Sequence, residues 1–96
     1  MFYSVVQVKP TRDFKVYVYF SNGNIRLYDM ARFVGKGVFA PLKSIDYFIE
    51  RCTVMNDTLA WDVSETFDLR ACIDIAPETV YLDGVDVANP LSAEVA

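Results

Sequence analysis

Two cysteines, Cys52 and Cys72, are the only thiols of the chain. A thiol becomes a nucleophile when a nearby positive charge or a helix N-terminus lowers its pKa. Arg51 adjoins Cys52, but neighbouring side chains of a regular strand point to opposite faces. The pair therefore reads as two reduced thiols in the interior, although one disulfide is arithmetically open to them. Without His, two cysteines are too few soft ligands for a metal site. Asp62, Glu65 and Asp68 follow Trp61 closely, as carboxylates that share a proton or hold calcium would. The stretch lacks the glycine of a calcium loop and reads as a solvated acidic loop. Gly35-Lys36-Gly37 is too short a glycine frame for a phosphate loop, no Lys-Ser/Thr follows it, and it reads as a turn. The absence of His also removes the commonest general base and the usual pH switch. These residues predict no catalytic, metal or cofactor site, and so a protein that is not an enzyme.

A different kind of chemistry is offered by Lys15, Tyr17, Tyr19, Arg26 and Tyr28. Tyr and Arg are over-represented among residues that carry binding energy at protein interfaces. What would bring these five together is a hairpin. Phe14, Val16, Val18 and Phe20 alternate with Lys15, Tyr17 and Tyr19, a strand period. Asn22-Gly23 then suits a two-residue type I′ turn, in which both central residues need positive φ. That turn predicts Phe20 opposite Ile25, Tyr19 opposite Arg26, Val18 opposite Leu27 and Tyr17 opposite Tyr28. Phe20, Ile25, Val18 and Leu27 would form an apolar side; Tyr17, Tyr19, Arg26 and Tyr28 an aromatic and basic one. The second side is read either as a partner surface or as a face covered by later segments of the same chain.

The other elements are short. Phe2–Lys9 reads as a first strand, with a turn over Pro10–Asp13. Asp29 can cap a helical turn reaching Phe33. Gly35 and Gly37 let the chain turn, Phe39 anchors that loop, and helical turns are expected over Pro41–Phe48. Ile49–Met55 reads as a strand. Asn56-Asp57 is a weaker turn that would set Val54 opposite Leu59 and Cys52 opposite Trp61. Pro77 suits the first turn of a helix tied to the sheet by Ile75, Val80 and Tyr81. The fold class predicted is α+β: a twisted antiparallel sheet of four to six strands built from hairpins, with short helices after residue 29 and near residue 77. With 96 residues there is room for one domain, placed at 1–82, followed by a poorly structured tail over 83–96.

Charge narrows the choice of partners. The net charge is −4, from 9 basic and 13 acidic residues. Residues 1–48 hold seven bases and three acids, net +4; residues 49–96 hold two bases and ten acids, net −8. Either oppositely charged faces attract within the domain, or one face receives a charged partner. An acidic chain without a dense basic patch disfavours nucleic acid, although aromatic residues on a sheet can stack bases. No apolar run approaches a membrane span and no secretory signal is evident, so a cytoplasmic protein without a membrane role is expected.

Taken in order, the residues resemble a family of small bacterial proteins catalogued as domain of unknown function 2442. The resemblance is carried by Val5, Val8 and Pro10; Phe14–Phe20; Asn22-Gly23; Tyr28-Asp29; Gly37, Phe39, Leu42 and Phe48; Trp61; and Asp74-Ile75-Ala76-Pro77-Glu78-Thr79-Val80-Tyr81. It covers about residues 3–82, and Asp62–Cys72 makes the connection after Trp61 longer than in many relatives. It implies a compact α+β domain and no established activity. Some relatives resemble fusions to a helix-turn-helix, and others sit beside small partner genes in a toxin–antitoxin-like arrangement. The 14 residues after the domain are too few for a helix-turn-helix. The expected role is a small non-enzymatic bacterial binding or adaptor module, including an antitoxin-like partner of a neighbouring small protein. The alternative is a homodimeric ligand-binding or regulatory domain.

Overall fold

A computed structural model describes residues 3–63 and 73–87. The fold is α+β, and the strands divide between two antiparallel sheets. The first sheet has the order β1-β2-β3-β7, from Val5–Pro10, Lys15–Phe20, Ile25–Asp29 and Val85–Asp86. The second has the order β4-β5-β6, from Cys52–Met55, Thr58–Trp61 and Ile73–Ile75. A 3₁₀ segment, Gly37–Lys43, and helix α1, Ile45–Arg51, lie between β3 and β4; helix α2, Pro77–Asp83, lies between β6 and β7.

The hairpin at Asn22-Gly23 forms, but with a different turn and register. Phe20 N–H donates to the Asn24 carbonyl (2.9 Å) and Gly23 N–H to the Phe20 carbonyl (3.0 Å). The loop is therefore Ser21-Asn22-Gly23, three residues long. Of these, Gly23 takes positive φ, at 91°, as a three-residue hairpin requires. Asn22 stays at negative φ, and its Oδ1 accepts the Asn24 N–H at 3.0 Å. One extra loop residue shifts the pairing by one: Lys15 faces Asp29, Val16 Tyr28, Tyr17 Leu27, Val18 Arg26 and Tyr19 Ile25. Such a slip moves every side chain of β3 to the other face. Tyr28 is thus buried in the core beside Val16, and Ile25 and Leu27 are outside it.

Strand β2 also starts one residue late. Phe14 sits in the preceding turn at φ 63°, unusual for a bulky residue. Its carbonyl accepts the Met30 N–H at 2.8 Å, and its ring meets Phe48 edge-on at 5.2 Å. After β3 the chain makes the single helical turn expected there, with the Val34 N–H donating to the Met30 carbonyl at 3.1 Å, and it does not extend into a longer helix. Asp29 Oδ1 accepts the Ala31 N–H at 2.9 Å, the local bond expected of a capping residue.

The turn at Asn56-Asp57 has the type I′ form. Both residues have positive φ, 54° and 61°, and Met55 pairs with Thr58 across two residues. Asn and Asp tolerate this region better than other side chains. Val54 faces Leu59 and Cys52 faces Trp61, as expected. The strand expected from Ile49 begins only at Cys52, because Ile45, Phe48 and Ile49 recur at helical spacing and turn one stripe of α1 to the core.

The inner face of the first sheet contributes Val5, Val16, Val18, Phe20 and Tyr28 to the core, with Met30 beyond it. Opposite lie Leu42, Phe48 of α1, Leu59 and Trp61 of β5, Ile75 and Val80. Trp61 is fully buried; its indole N–H donates to the Phe48 carbonyl at 3.1 Å. The two sheets meet near β1, where Val5 N–H donates to the Asp57 carbonyl at 2.9 Å. Past residue 82, Val85 pairs with Leu27 and Asp86 with Arg26. Residues 88–96 of the expected tail lie outside the described residues.

Candidate functional site

Three of the five residues expected on one face share it, and two do not. Lys15, Tyr17 and Tyr19 line the outer face of β2. Arg26 and Tyr28 are on the inner side, opposite Val18 and Val16, because of the one-residue shift. Tyr28 is 2% exposed, and burial raises its phenol above the ordinary range; Asp83 adds to this and Arg32 opposes it. The Arg26 guanidinium lies 4.3 Å from the Tyr81 ring centre. Its hydrogen bond to the Tyr81 hydroxyl lowers that phenol's pKa, and Asn24 Nδ2 donates to the same hydroxyl at 2.6 Å. Tyr81 also stacks on Tyr3 at 4.2 Å and meets Phe20 edge-on at 5.0 Å. Arg26 therefore helps fasten α2 to the sheet.

The vacated places on the outer face are taken by apolar residues. Cross-strand pairing gives one row of Lys9, Tyr17, Leu27 and Val85, and another of Gln7, Tyr19 and Ile25. Lys15 and Asp29 close one end. Tyr17, Tyr19, Ile25 and Leu27 are half-buried, whereas Val85 is 64% exposed. Desolvation, and then the neighbouring Tyr17, raise the Tyr19 phenol. Sequence reasoning missed Ile25, Leu27 and Val85 here. Reading a three-residue loop would have found the first two; the two-residue β7 leaves no pattern in the sequence.

The other candidates separate. Cys52 sits against the core beside Trp61, and burial pushes its thiol up to about 12. Cys72 lies outside the described residues, as do Glu65 and Asp68. Asp62 is buried, 4% exposed, which corrects the solvated reading at that position. Its N–H donates to the Arg51 carbonyl at 3.0 Å at the end of the β4–β5 hairpin. Gly35 and Gly37 take positive φ, 83° and 53°, as turn residues. Among the described residues no three potential metal ligands come together, and no helix is long and apolar enough to cross a membrane.

The Cys52 thiol gives a direct test. A thiol held near 12 is almost entirely protonated at pH 8, roughly three orders of magnitude less ionised than one with an ordinary pKa near 9. In a Cys72→Ser background, disulfide-reagent labelling at pH 8 is expected to be slow in the native protein and fast in urea. The linkage has a definite sign. The unfolded chain loses this proton near 9 and the folded chain near 12, so the thiol's contribution is intact below 9 and declines as pH rises through that window. Equal labelling rates with and without urea would show an open thiolate instead.

A family model described as protein of unknown function, DUF2442, matches residues 5–85, in agreement with the resemblance carried by the hairpin and the closing Asp-Ile-Ala-Pro-Glu segment. The match runs through the connection after Trp61 and reaches the first residue of β7. No curated protein and no solved structure matches the chain.

Proposed function

The chain belongs to the DUF2442 family of proteins of unknown function, and from this premise we propose that it is a small non-enzymatic binding module. Its working surface is the outer face of the β1-β2-β3-β7 sheet. The observation that carries this reading is the composition of that face: Tyr17, Tyr19, Ile25, Leu27 and Val85 adjoin each other, with Lys9 and Lys15 beside them. A contiguous apolar and aromatic patch edged by charge is what a protein partner recognises. The core does not need it, since the inner face of the same sheet already closes the hydrophobic interior. The sequence supports the non-enzymatic part through its lack of His, and the local chemistry through a Cys52 thiol that stays protonated.

The partner tested first is the protein encoded beside it, as an antitoxin-like role requires. Co-expression is expected to yield a complex with that product, or an oligomer of the chain itself. Leu27→Lys is expected to weaken either one at least tenfold while the circular dichroism spectrum stays that of the parent. No complex with a neighbour and no oligomer would remove the proposal.

A further inference from the structure

We propose that the occupant of the outer sheet face is a second copy of the same chain, packed about a twofold axis that runs parallel to the strands between β2 and β3. The inference rests on the reading of that face as a partner surface and adds the partner's identity. It is carried by the row-by-row complementarity of the two central strands. On β2 the outer residues are Lys15, Tyr17 and Tyr19; in the same rows of β3 they are Asp29, Leu27 and Ile25. A twofold axis in that position keeps each row at its height and lays β2 of one protomer over β3 of its partner. Lys15 then meets Asp29 of the partner subunit, and Asp29 meets the partner's Lys15. Tyr17 is set against the partner's Leu27, and Tyr19 against the partner's Ile25. Every pair made once is made twice, as an isologous interface requires.

The charges support this partner over an unrelated one. Lys15 and Asp29 are the charged pair that closes the face, of opposite sign and in one row. A partner of a single charge would be repelled by one of them, whereas a twofold copy satisfies both. Asp13 lies 3.8 Å from the Lys15 ammonium, and Asp29 spends Oδ1 on the Ala31 N–H. An exposed pair at that distance is worth little and leaves the lysine free to swing. Sheets stacked face to face lie about 10 Å apart and cross at about 30°, offsets that a lysine side chain spans. The face is four strands wide, roughly 15 Å at the usual strand spacing. That is small for a stable interface of about 800 Å² per partner, so the dimer is weak and concentration-dependent.

Sedimentation equilibrium on the full chain, from about 10 µM to 1 mM, covers this affinity range. The mass is expected to rise from 10.9 kDa toward twice that value. Lys15→Asp places like charges in both rows and is expected to weaken self-association at least tenfold; Asp29→Lys does the same with the opposite sign. Mixed in equal amounts, the two variants regain opposite charges across the interface and are expected to associate with each other. If Asp29→Lys disturbs the turn at Ala31, Asp29→Asn keeps the accepting oxygen and is expected to weaken the dimer several-fold. A parent that stays monomeric to 1 mM overturns the inference, as do charge variants that dimerise like the parent or a mixture that stays monomeric. A monomeric parent that still binds the neighbouring gene's product, with binding lost in Leu27→Lys, overturns the second copy alone and leaves the binding module standing.

Discussion

Trp61→Ala is expected to cost the protein about 3–5 kcal/mol, the largest single effect available in this core. Trp61 is fully buried on β5, the central strand of its sheet. Its ring lies 5.4 Å from that of Phe48, which in turn meets Phe14 edge-on. Truncation leaves a void bounded by both secondary-structure layers, because neighbouring side chains relax only partly into such space. It also deprives the Phe48 carbonyl of the buried hydrogen bond from the indole N–H. A domain of this length has roughly 5–14 kcal/mol of stability in total, so the variant stands at the margin of folding. Urea denaturation followed by circular dichroism should show the midpoint lowered by about 2–5 M, for slopes near 1–1.5 kcal/mol per molar. Trp61→Phe retains an aromatic ring and loses the donor. It is expected to cost less than half as much, which separates packing from hydrogen bonding. A loss below 1 kcal/mol for the alanine variant would mean that Trp61 is not at the centre of the core.

What could be read from the sequence was governed by how local its cause is. The β4–β5 pairing follows from two adjacent residues, Asn56 and Asp57, and the structure has the expected register. Pro77 likewise starts α2 where its missing N–H costs nothing. The β2–β3 hairpin differs from expectation by one residue although Asn22-Gly23 is the stronger turn signal. Asn-Gly is compatible with both a two-residue and a three-residue loop, and the choice is made elsewhere. With the longer loop, Tyr28 and Met30 enter the core near Val16 and Phe14, and the smaller Ile25 and Leu27 are released. The preference belongs to the assembled interior, not to the turn. The candidate face suffered the same error, since Lys15, Tyr17 and Tyr19 precede the turn and kept their side, while Arg26 and Tyr28 follow it and did not. Strand β7 was not legible at all, because two residues carry no period. It exists because α2 ends where Gly84 can pass close to β3.

That close passage makes Gly84→Ala the second large effect, expected at about 2–3 kcal/mol, toward the upper end for overpacking. Gly84 has φ −75°, which any residue adopts, so its need for glycine is not conformational. A Cβ there would lie 2.7 Å from the Val80 carbonyl oxygen and 2.9 Å from Arg26 Cβ. Neither obstacle is the tip of a flexible side chain. The Val80 carbonyl is also the acceptor for the Gly84 N–H, at 2.9 Å, in the bond that ends α2. The methyl group must therefore break that bond or lift the chain from β3. Either movement withdraws Val85 from Leu27 and Asp86 from Arg26, and loosens the Arg26–Tyr81 contact. Hydrogen exchange provides the local measurement, because the Val87 N–H donates to the Ile25 carbonyl at 3.1 Å across the same junction. Its protection is expected to disappear in Gly84→Ala while amides in β2 retain theirs. Gly23→Ala is the control: at φ 91° the added methyl meets nothing within 4 Å, and its cost is the left-handed backbone alone, about 1–2 kcal/mol. That variant should leave Val87 protected. Because Val85 lines the outer face, Gly84→Ala should also weaken self-association more than Gly23→Ala does. If instead Gly84→Ala changes neither stability nor exchange, Val85–Asp86 is no part of the folded unit, the domain ends at residue 82, and the outer face loses its fourth strand.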